Sequence, residues 1–242
     1  MRPCRIGVFG SRGRMGQRVI KCAAGRQDVD VVCTVDDSFV DGQLDACDVI
    51  IDFSVASATD HLLNAVQAST IPIVSGVTGR SKEQSDRLVD ESKNRAIFTA
   101  ANFSIGVAVL NELVEKAVRA LGNEFDAEVF EIHHRMKTDA PSGTALMLAK
   151  TAADSRGFTW PDARRNRDGI TGARLSTEVG TAALRGGAVP GEHTVFLLGE
   201  SERIELTHRA ANRDIFALGA LRAAVWLDGK EPGLYSMADL VR

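Results

Sequence analysis

A short apolar run, Arg5 to Phe9 (RIGVF), passes directly into Gly10-Ser11-Arg12-Gly13-Arg14-Met15-Gly16. Apolar positions at Val19, Ile20, Ala23 and Ala24 then mark a helix ending at Gly25, and Asp30 to Val35 reads as a second strand ending in Asp36-Asp37. A strand, a glycine-rich turn, a helix and a second strand make a βαβ unit, and such a unit demands a parallel sheet. Glycines in the first turn let the chain bend tightly and let the backbone approach a pyrophosphate at the helix N-terminus. The spacing is G-x-x-G-x-x-G, one residue away from the usual G-x-G-x-x-G, and glycine turns also arise from packing alone. Asp36 lies 20 residues beyond Gly16, at the end of the second strand, where a carboxylate can accept hydrogen bonds from ribose hydroxyls. Gly10, Ser11, Arg12, Gly13, Arg14, Met15 and Asp36 are therefore expected to hold a dinucleotide.

Asp36-Asp37 bears on which dinucleotide. A 2′-phosphate beside two carboxylates is repelled unless a cation intervenes, and Arg12 or Arg14 could supply one. NADH is favoured over NADPH.

The alternation continues. Strands are expected at Asp48–Phe53, Ile71–Ser75 and Ala96–Thr99, with a helix over Ala56–Ala68 and another opened by the capping-box spacing Ser81-Lys82-Glu83-Gln84. This predicts an α/β fold, a Rossmann-like doubly wound parallel sheet with both faces covered. Ligands bind beyond the carboxyl ends of such strands, where the turns Gly10–Gly16, Gly76–Gly79 and Ala100–Phe103 converge.

From Ser104 the character changes. Ile105 to Leu121 is an amphipathic helix closed by Gly122. Ala127 to Ile132 reads as a strand, Phe158 to Gly172 as a polar loop or lid whose arginines (Arg164, Arg165, Arg167) form a solvated face, and Ser176–Arg185, His193–Leu198 and Arg203–Arg209 as strands. This half is expected to be a second α+β domain with an open mixed sheet, mostly antiparallel. Ile215 to Leu227 is a final apolar helix suited to rejoin the first domain. The expected division is residues 1–103 with 212–242, a discontinuous dinucleotide-binding domain, and 104–211, a substrate-binding and oligomerisation domain.

Glu131 to Ala145, EIHHRMKTDAPSGTA, concentrates the reactive side chains: two histidines at a strand end, the lone Lys137, and Ser142-Gly143-Thr144 opening a helix. A helix start offers backbone N–H groups and partial positive charge to an anion. Proton donor, cation and anion cradle point to an acidic small molecule that accepts a proton. Adjacent residues of a strand face opposite ways, so His133 and His134 serve one site only where the strand ends or twists. The five histidines lack Cys or carboxylate partners at metal-ligand spacing, and no metal is expected.

A net charge of −3 gives no reason to expect nucleic acid or an anionic membrane as partner. Four scattered cysteines (Cys4, Cys22, Cys33, Cys47), no membrane-spanning apolar run and no signal peptide lead to the expectation of a reducing, cytoplasmic location.

Together, G-R-M-G within Gly10–Gly16 and E-x-H-H-x-x-K-x-D-A-P-S-G-T-A resemble the 4-hydroxy-tetrahydrodipicolinate reductase (dihydrodipicolinate reductase) family. The second motif is long and specific. Ala100 to Ser104, Gly191-Glu192-His193-Thr194 and Leu206 to Trp226 extend the likeness over nearly the whole chain. The resemblance implies NAD(P)H-dependent reduction of the cyclic product of pyruvate and aspartate semialdehyde, a step toward diaminopimelate and lysine. It implies His133 as acid/base residue, Lys137 as proton donor, and His134, Gly143 and Thr144 as substrate contacts. It also implies cofactor contacts at Gly10 to Met15, Asp36, Gly76, Val77, Thr78, Ala100, Ala101, Asn102 and Phe103, and a homotetramer joined through the second domain's sheet. Because cofactor turns and His-His-Lys motif fall on different domains, closure over the substrate is expected.

The chain departs from the family pattern at Arg12, often a small residue, and at Asp37, where NADPH-accepting relatives tend to be basic. Ser38 to Cys47 is also short for the family. Two rival readings remain: a dehydrogenase of another amino-acid precursor, and a dinucleotide-sensing module without turnover. Neither explains the His-His-Lys stretch as well.

Overall fold

The computed structural model describes residues 2–37, 39–158 and 167–242. The elements in chain order are β1 (Cys4–Phe9), α1 (Arg14–Ala23), β2 (Val29–Asp36), β3 (Phe39–Gly42), β4 (Val49–Asp52), α2 (Thr59–Ala65), β5 (Ile73–Ser75), α3 (Lys82–Glu91), β6 (Ala96–Thr99) and α4 (Ile105–Leu121). There follow β7 (Asp126–His133), α5 (Gly143–Ser155), β8 (Val179–Arg185), β9 (Glu192–Leu198), β10 (Arg203–Arg209), α6 (Asp214–Leu227), β11 (Gly233–Tyr235) and α7 (Met237–Val241). The chain forms two compact units, Met1–Ile105 with Asp214–Arg242, and Gly106–Arg213.

The first unit holds a seven-stranded sheet in the order β11-β6-β5-β4-β1-β2-β3, parallel except for the β2–β3 pairing. From β1 the chain steps to β2 on one side, then crosses back to β4 on the other. The strand order therefore reverses between β1 and β4, the place where such sheets open a crevice at their carboxyl edge. Val49, Ile50 and Ile51 are all fully buried, because helices cover both faces and alternation gives way to continuous apolar runs. On one face Ile6, Val8, Ile51, Val74 and Phe98 meet Val19 of α1 and Ala217, Leu221 and Leu227 of α6. On the other, Phe9, Ile50, Ile73 and Ile97 meet Leu62 and Leu63 of α2 and Leu88 of α3. Burying Leu221 and Leu227 completely is worth roughly 1.5–3 kcal/mol each. Gly219 lets α6 press against the chain after β6: a Cβ there would stand 1.8 Å from the Phe103 carbonyl oxygen.

The second unit holds a four-stranded sheet, β10-β9-β7-β8, in which β7 and β8 are parallel and the other pairings antiparallel. β7 alternates strictly, with Ala127, Val129, Glu131 and His133 inward. Of these, Ala127 and Val129, with Val195 and Leu197 of β9, face Leu110, Val114 and Val118 of α4 and Ala145, Leu148 and Ala149 of α5. The opposite face carries Phe130, Ile132, Leu184, Phe196 and Leu198, half-buried or exposed.

Several local expectations are corrected. The first sheet has two edge strands that the pattern did not announce. β3 is exposed throughout and follows a turn at Asp37 (φ +25°), so it carries no alternation to read. β11 is three residues long beside β6. The helix expected over Ala56–Ala68 is a 3₁₀ turn, Ala56–Ala58, followed by α2. Within the expected loop Phe158 to Gly172, residues 159–166, including Arg164 and Arg165, lie outside the described residues. Arg167 is exposed, as expected of a solvated face, and is also paired: it donates two bonds to Glu128 (2.9 and 2.8 Å) and one to Glu178 (2.5 Å). Among the described residues no helix is long and apolar enough to cross a membrane.

Candidate active site

The turn after β1 is a cradle made of backbone. Gly10 adopts φ +75°, and a Cβ there would lie 2.7 Å from the Phe53 backbone. Its N–H and that of Ser11 both donate to the Val35 carbonyl (2.9 and 3.1 Å), tying the turn to β2. Gly13 is the N-cap of α1 and has no side chain to cap with, and no acid stands in the first turn. Gly16 packs so close that a Cβ would stand 2.1 Å from the Gly10 carbonyl oxygen. Arg14 is exposed and Met15 half-buried against the core.

Asp36 closes the cradle. Its Oδ2 accepts the Arg12 backbone N–H at 2.7 Å, while Oδ1 has no partner among the described residues. The Arg12 guanidinium lies 4.2 Å from the centre of the Phe39 ring, a stack supplied by the unexpected β3.

Two more segments share this carboxyl edge. Gly76 donates its N–H to the Asp52 carbonyl (2.8 Å), and a Cβ on it would strike the Phe53 ring at 2.2 Å. Val77 is buried and Thr78 exposed. The turn is anchored by Arg80, which donates to the Val77 carbonyl (2.8 Å), Ser75 Oγ (2.5 Å), Thr59 Oγ1 (3.0 Å) and Asp52 Oδ2 (3.3 Å). Burial pulls the Arg80 guanidinium below its usual value against the opposing pull of Asp52. After β6, Ala100 donates its N–H to the Ser75 carbonyl (3.2 Å), and Ala101 is exposed. Asn102 Oδ1 accepts from the Ser104 N–H (2.8 Å), and Phe103 is buried between Phe53 and Phe98. The parallel sheet thus gathers every expected cofactor contact onto one edge. At the other edge, a shallow groove of about 960 Å³ is lined by Asp45, Cys47, Asp48, Arg95 and Asp228, remote from these turns. Cys4 joins Asp48 and Asp228 there, but Asp48 is already held by Arg2 and Arg5.

In the second unit the site is made of side chains. β7 ends at His133, whose ring turns inward, and His134 leaves the strand with its N–H on the Val189 carbonyl (2.8 Å). His133 Nδ1 lies 2.5 Å from Glu131 Oε2. Glu131 is 0% exposed and also accepts from both terminal nitrogens of Arg185 (2.7 Å each) and from the Ser142 N–H (2.9 Å). Burial pushes the Glu131 carboxyl up, but Arg185, His133 and the Ser142 N–H outweigh it and hold the group ionised, below its usual value.

His134 differs. Arg213 donates to its Nε2 at 2.8 Å, and burial together with the Arg213, His133 and Lys137 charges lowers its affinity for a proton. Lys137 closes a turn onto the His134 carbonyl (3.1 Å), and its ammonium grips the exposed carboxylate of Asp139 at 2.8 and 2.9 Å. Ser142 is the N-cap of α5, accepting the Ala145 N–H (3.2 Å), and its hydroxyl also meets His193 Nε2 (3.1 Å). Ser142 thus spends its own N–H on Glu131, so the helix start presents Gly143, exposed, and Thr144, half-buried. His193, 4% exposed, stands edge-on to the His133 ring at 5.1 Å, and burial and the His133 charge push it down to about 4.

Glu131 and Arg185 were given no part by the sequence alone. Glu131 sits inside the motif, where inward alternation two residues before His133 was a usable signal; Arg185 lies 54 residues from Glu131 and had none. The same holds for Arg80, which local pattern leaves as an ordinary surface arginine.

Two family models match the chain: dihydrodipicolinate reductase, N-terminus, over residues 4–103, and dihydrodipicolinate reductase, C-terminus, over residues 106–241. A 4-hydroxy-tetrahydrodipicolinate reductase of Caulobacter vibrioides is 41% identical, with 99% of this chain and 97% of that protein aligned. One of Myxococcus xanthus is 42% identical over 98% and 97%. A solved dihydrodipicolinate reductase from Paenisporosarcina sp. TG-14, with dipicolinate bound, has the same fold: TM-score 0.74 at 22% identity over 97% of each chain. With both halves matched in sequence and the whole matched in fold, the chain belongs to the dihydrodipicolinate reductase family.

Proposed function

We propose that the protein reduces 4-hydroxy-tetrahydrodipicolinate to tetrahydrodipicolinate with a nicotinamide dinucleotide, in the route to diaminopimelate and lysine. The observation that carries this is the folding of residues 131–144 into one cluster, in which His133, His134, Lys137 and the start of α5 come together in a family member. The first unit, residues 1–103 with 212–242 in this reading, binds the cofactor. A turn whose Gly10 and Gly16 leave no room for a Cβ, opening on an uncapped helix start, fits a pyrophosphate. Gly10 to Met15, Gly76 to Thr78 and Ala100 to Phe103 line the cofactor, and Asp36 Oδ1 accepts from the ribose. When bound, the reduced nicotinamide supplies the hydride.

The second unit, residues 104–211, handles the substrate. Hydride addition beside a ring C=N leaves negative charge that a proton must quench. His133 serves as the acid/base residue and Lys137 as its partner donor. Lys137 already grips a carboxylate, that of Asp139, which supports its competence to hold a substrate carboxylate. Gly143, Thr144 and His134 complete the binding of a small dicarboxylate.

NADH is preferred over NADPH, because Asp36 and Asp37 oppose a 2′-phosphate; Arg12, engaged with Phe39, softens that preference. No metal takes part, the residues at the site being suited to proton transfer and anion binding. The partly exposed apolar face of Phe130, Ile132, Leu184 and Phe196 supports a homotetramer formed through the second sheet, and the activity belongs in the cytoplasm.

The test is oxidation of NADH and NADPH, side by side, with substrate generated in the cuvette by a synthase from pyruvate and aspartate semialdehyde. Substrate-dependent oxidation, faster with NADH, is expected. No oxidation with either, from protein shown to bind one of them, returns the question to a sensing module or another substrate.

A further inference from the structure

His133 has its two ring nitrogens in different surroundings, and neither surrounding has been given a function. Nδ1 faces the Glu131 carboxylate at 2.5 Å. Nε2 faces Gly191, where a Cβ would stand 2.9 Å from it. Glu131 has nowhere else to go. It is fully buried, and its oxygens are fixed by Arg185 at the end of β8 and by the Ser142 N–H at the start of α5. Arg185 also donates to the Asp139 carbonyl (2.7 Å), so the same clamp holds the loop carrying Lys137.

We propose that Glu131, clamped by Arg185, is a positioning residue that keeps a proton on His133 Nδ1 and so reserves Nε2 for exchange with substrate, and that Gly191 keeps Nε2 uncovered. The inference deepens the reductase reading and rests on His133 being its acid/base group. A buried ionised carboxylate only accepts hydrogen bonds, so the nitrogen beside it must carry hydrogen. With Nδ1–H committed, proton transfer runs through Nε2 alone. The Nε2–H bond breaks, the proton adds to the substrate that has received hydride, and the ring returns to the neutral Nδ1–H form. Glu131 holds one tautomer of the ring once the proton has left, as carboxylates that orient histidines do elsewhere. The same clamp sets ring, lysine loop and helix start in fixed relation. Arg185 thus acts through Glu131 and the loop without itself touching substrate.

Three measurements test it. In the unsubstituted protein, long-range proton–nitrogen correlation spectra, with the His133 signals assigned by their loss in His133→Asn, are expected to show Nδ1 protonated even where the ring is neutral. A neutral ring protonated on Nε2 overturns the proposal, and this readout needs no altered Glu131 to fold. In Glu131→Gln, kcat is expected to fall roughly 10–100-fold, with KM for NADH unchanged and the Nδ1–H signature weakened. Unchanged kcat, or a loss confined to KM for NADH, overturns it. In Gly191→Ala, a methyl laid on Nε2 is expected to lower kcat while the Nδ1–H signature persists; full activity shows that Nε2 is not the working nitrogen. An unsubstituted protein that oxidises no cofactor sinks the reductase reading instead, and the spectrum alone then decides the Glu131–His133 bond.

Discussion

The two units build their candidate sites from opposite materials. In the first, the turn after β1 offers backbone, and its defining residues are those with no side chain: Gly10, Gly13 and Gly16. In the second, the cluster around His133 is made of charged and polar side chains delivered from β7, β8, β9 and the start of α5. A site made of backbone fails when volume is added. A site made of side chains fails when a charge is removed or a proton moved.

The sharpest way to break this contrast is Lys137→Ala. Turnover is expected to fall roughly 10²–10⁴-fold while NADH affinity, measured by fluorescence titration, stays the same. Near-normal turnover would remove Lys137 from the chemistry.

Acid should act on the second site through His193. A histidine in the unfolded chain binds its proton below about pH 6.5, whereas the folded one does so only below about 4. Between those values the unfolded chain holds the extra proton, so stability falls as pH drops through this window, by up to roughly 3 kcal/mol. Urea unfolding at stepped pH should show that slope, and His193→Gln should flatten it. An equal slope in both proteins assigns the acid sensitivity elsewhere.

Gly16→Ala tests the first site. The added methyl meets the Gly10 carbonyl, and the expected cost is about 1–3 kcal/mol of stability, with loss of NADH binding. Retained affinity would mean that the turn relaxes more freely than its packing implies. The smallest effect is expected from Ser142→Ala. Loss of the α5 cap costs about 1 kcal/mol in urea unfolding and leaves NADH affinity untouched, since the cap belongs to the other unit.

The same contrast explains what could be read from the sequence. The glycine turn, the alternation of strands and helices, and the strand–turn–helix over residues 131–145 are local, and local chemistry announces them. β3 and β11 escaped because edge strands need not alternate and are short. The Arg185–Glu131 clamp escaped because β7 and β8 become neighbours only through a parallel pairing of distant segments. Arg80 escaped for the same reason: its partners Asp52, Thr59 and Ser75 lie on three other elements or their ends. Ser142 was read as offering its N–H to a ligand; the fold gives it to Glu131 instead, a contact set by the inward register of β7.

The return of α6 and β11 to the first unit has a consequence for synthesis. The ribosome releases β1 to β6 first, yet Val74, Phe98 and Phe103 lack the cover of α6 until residues beyond 214 emerge. At about 5–20 residues per second, the intervening stretch takes roughly 5–20 s to make. During that interval the contiguous second unit can bury its own core, while the first waits with one apolar face and the β6 edge open. The half made first is completed last, and the nascent chain is most exposed to aggregation and to chaperones on the side where α6 will lie.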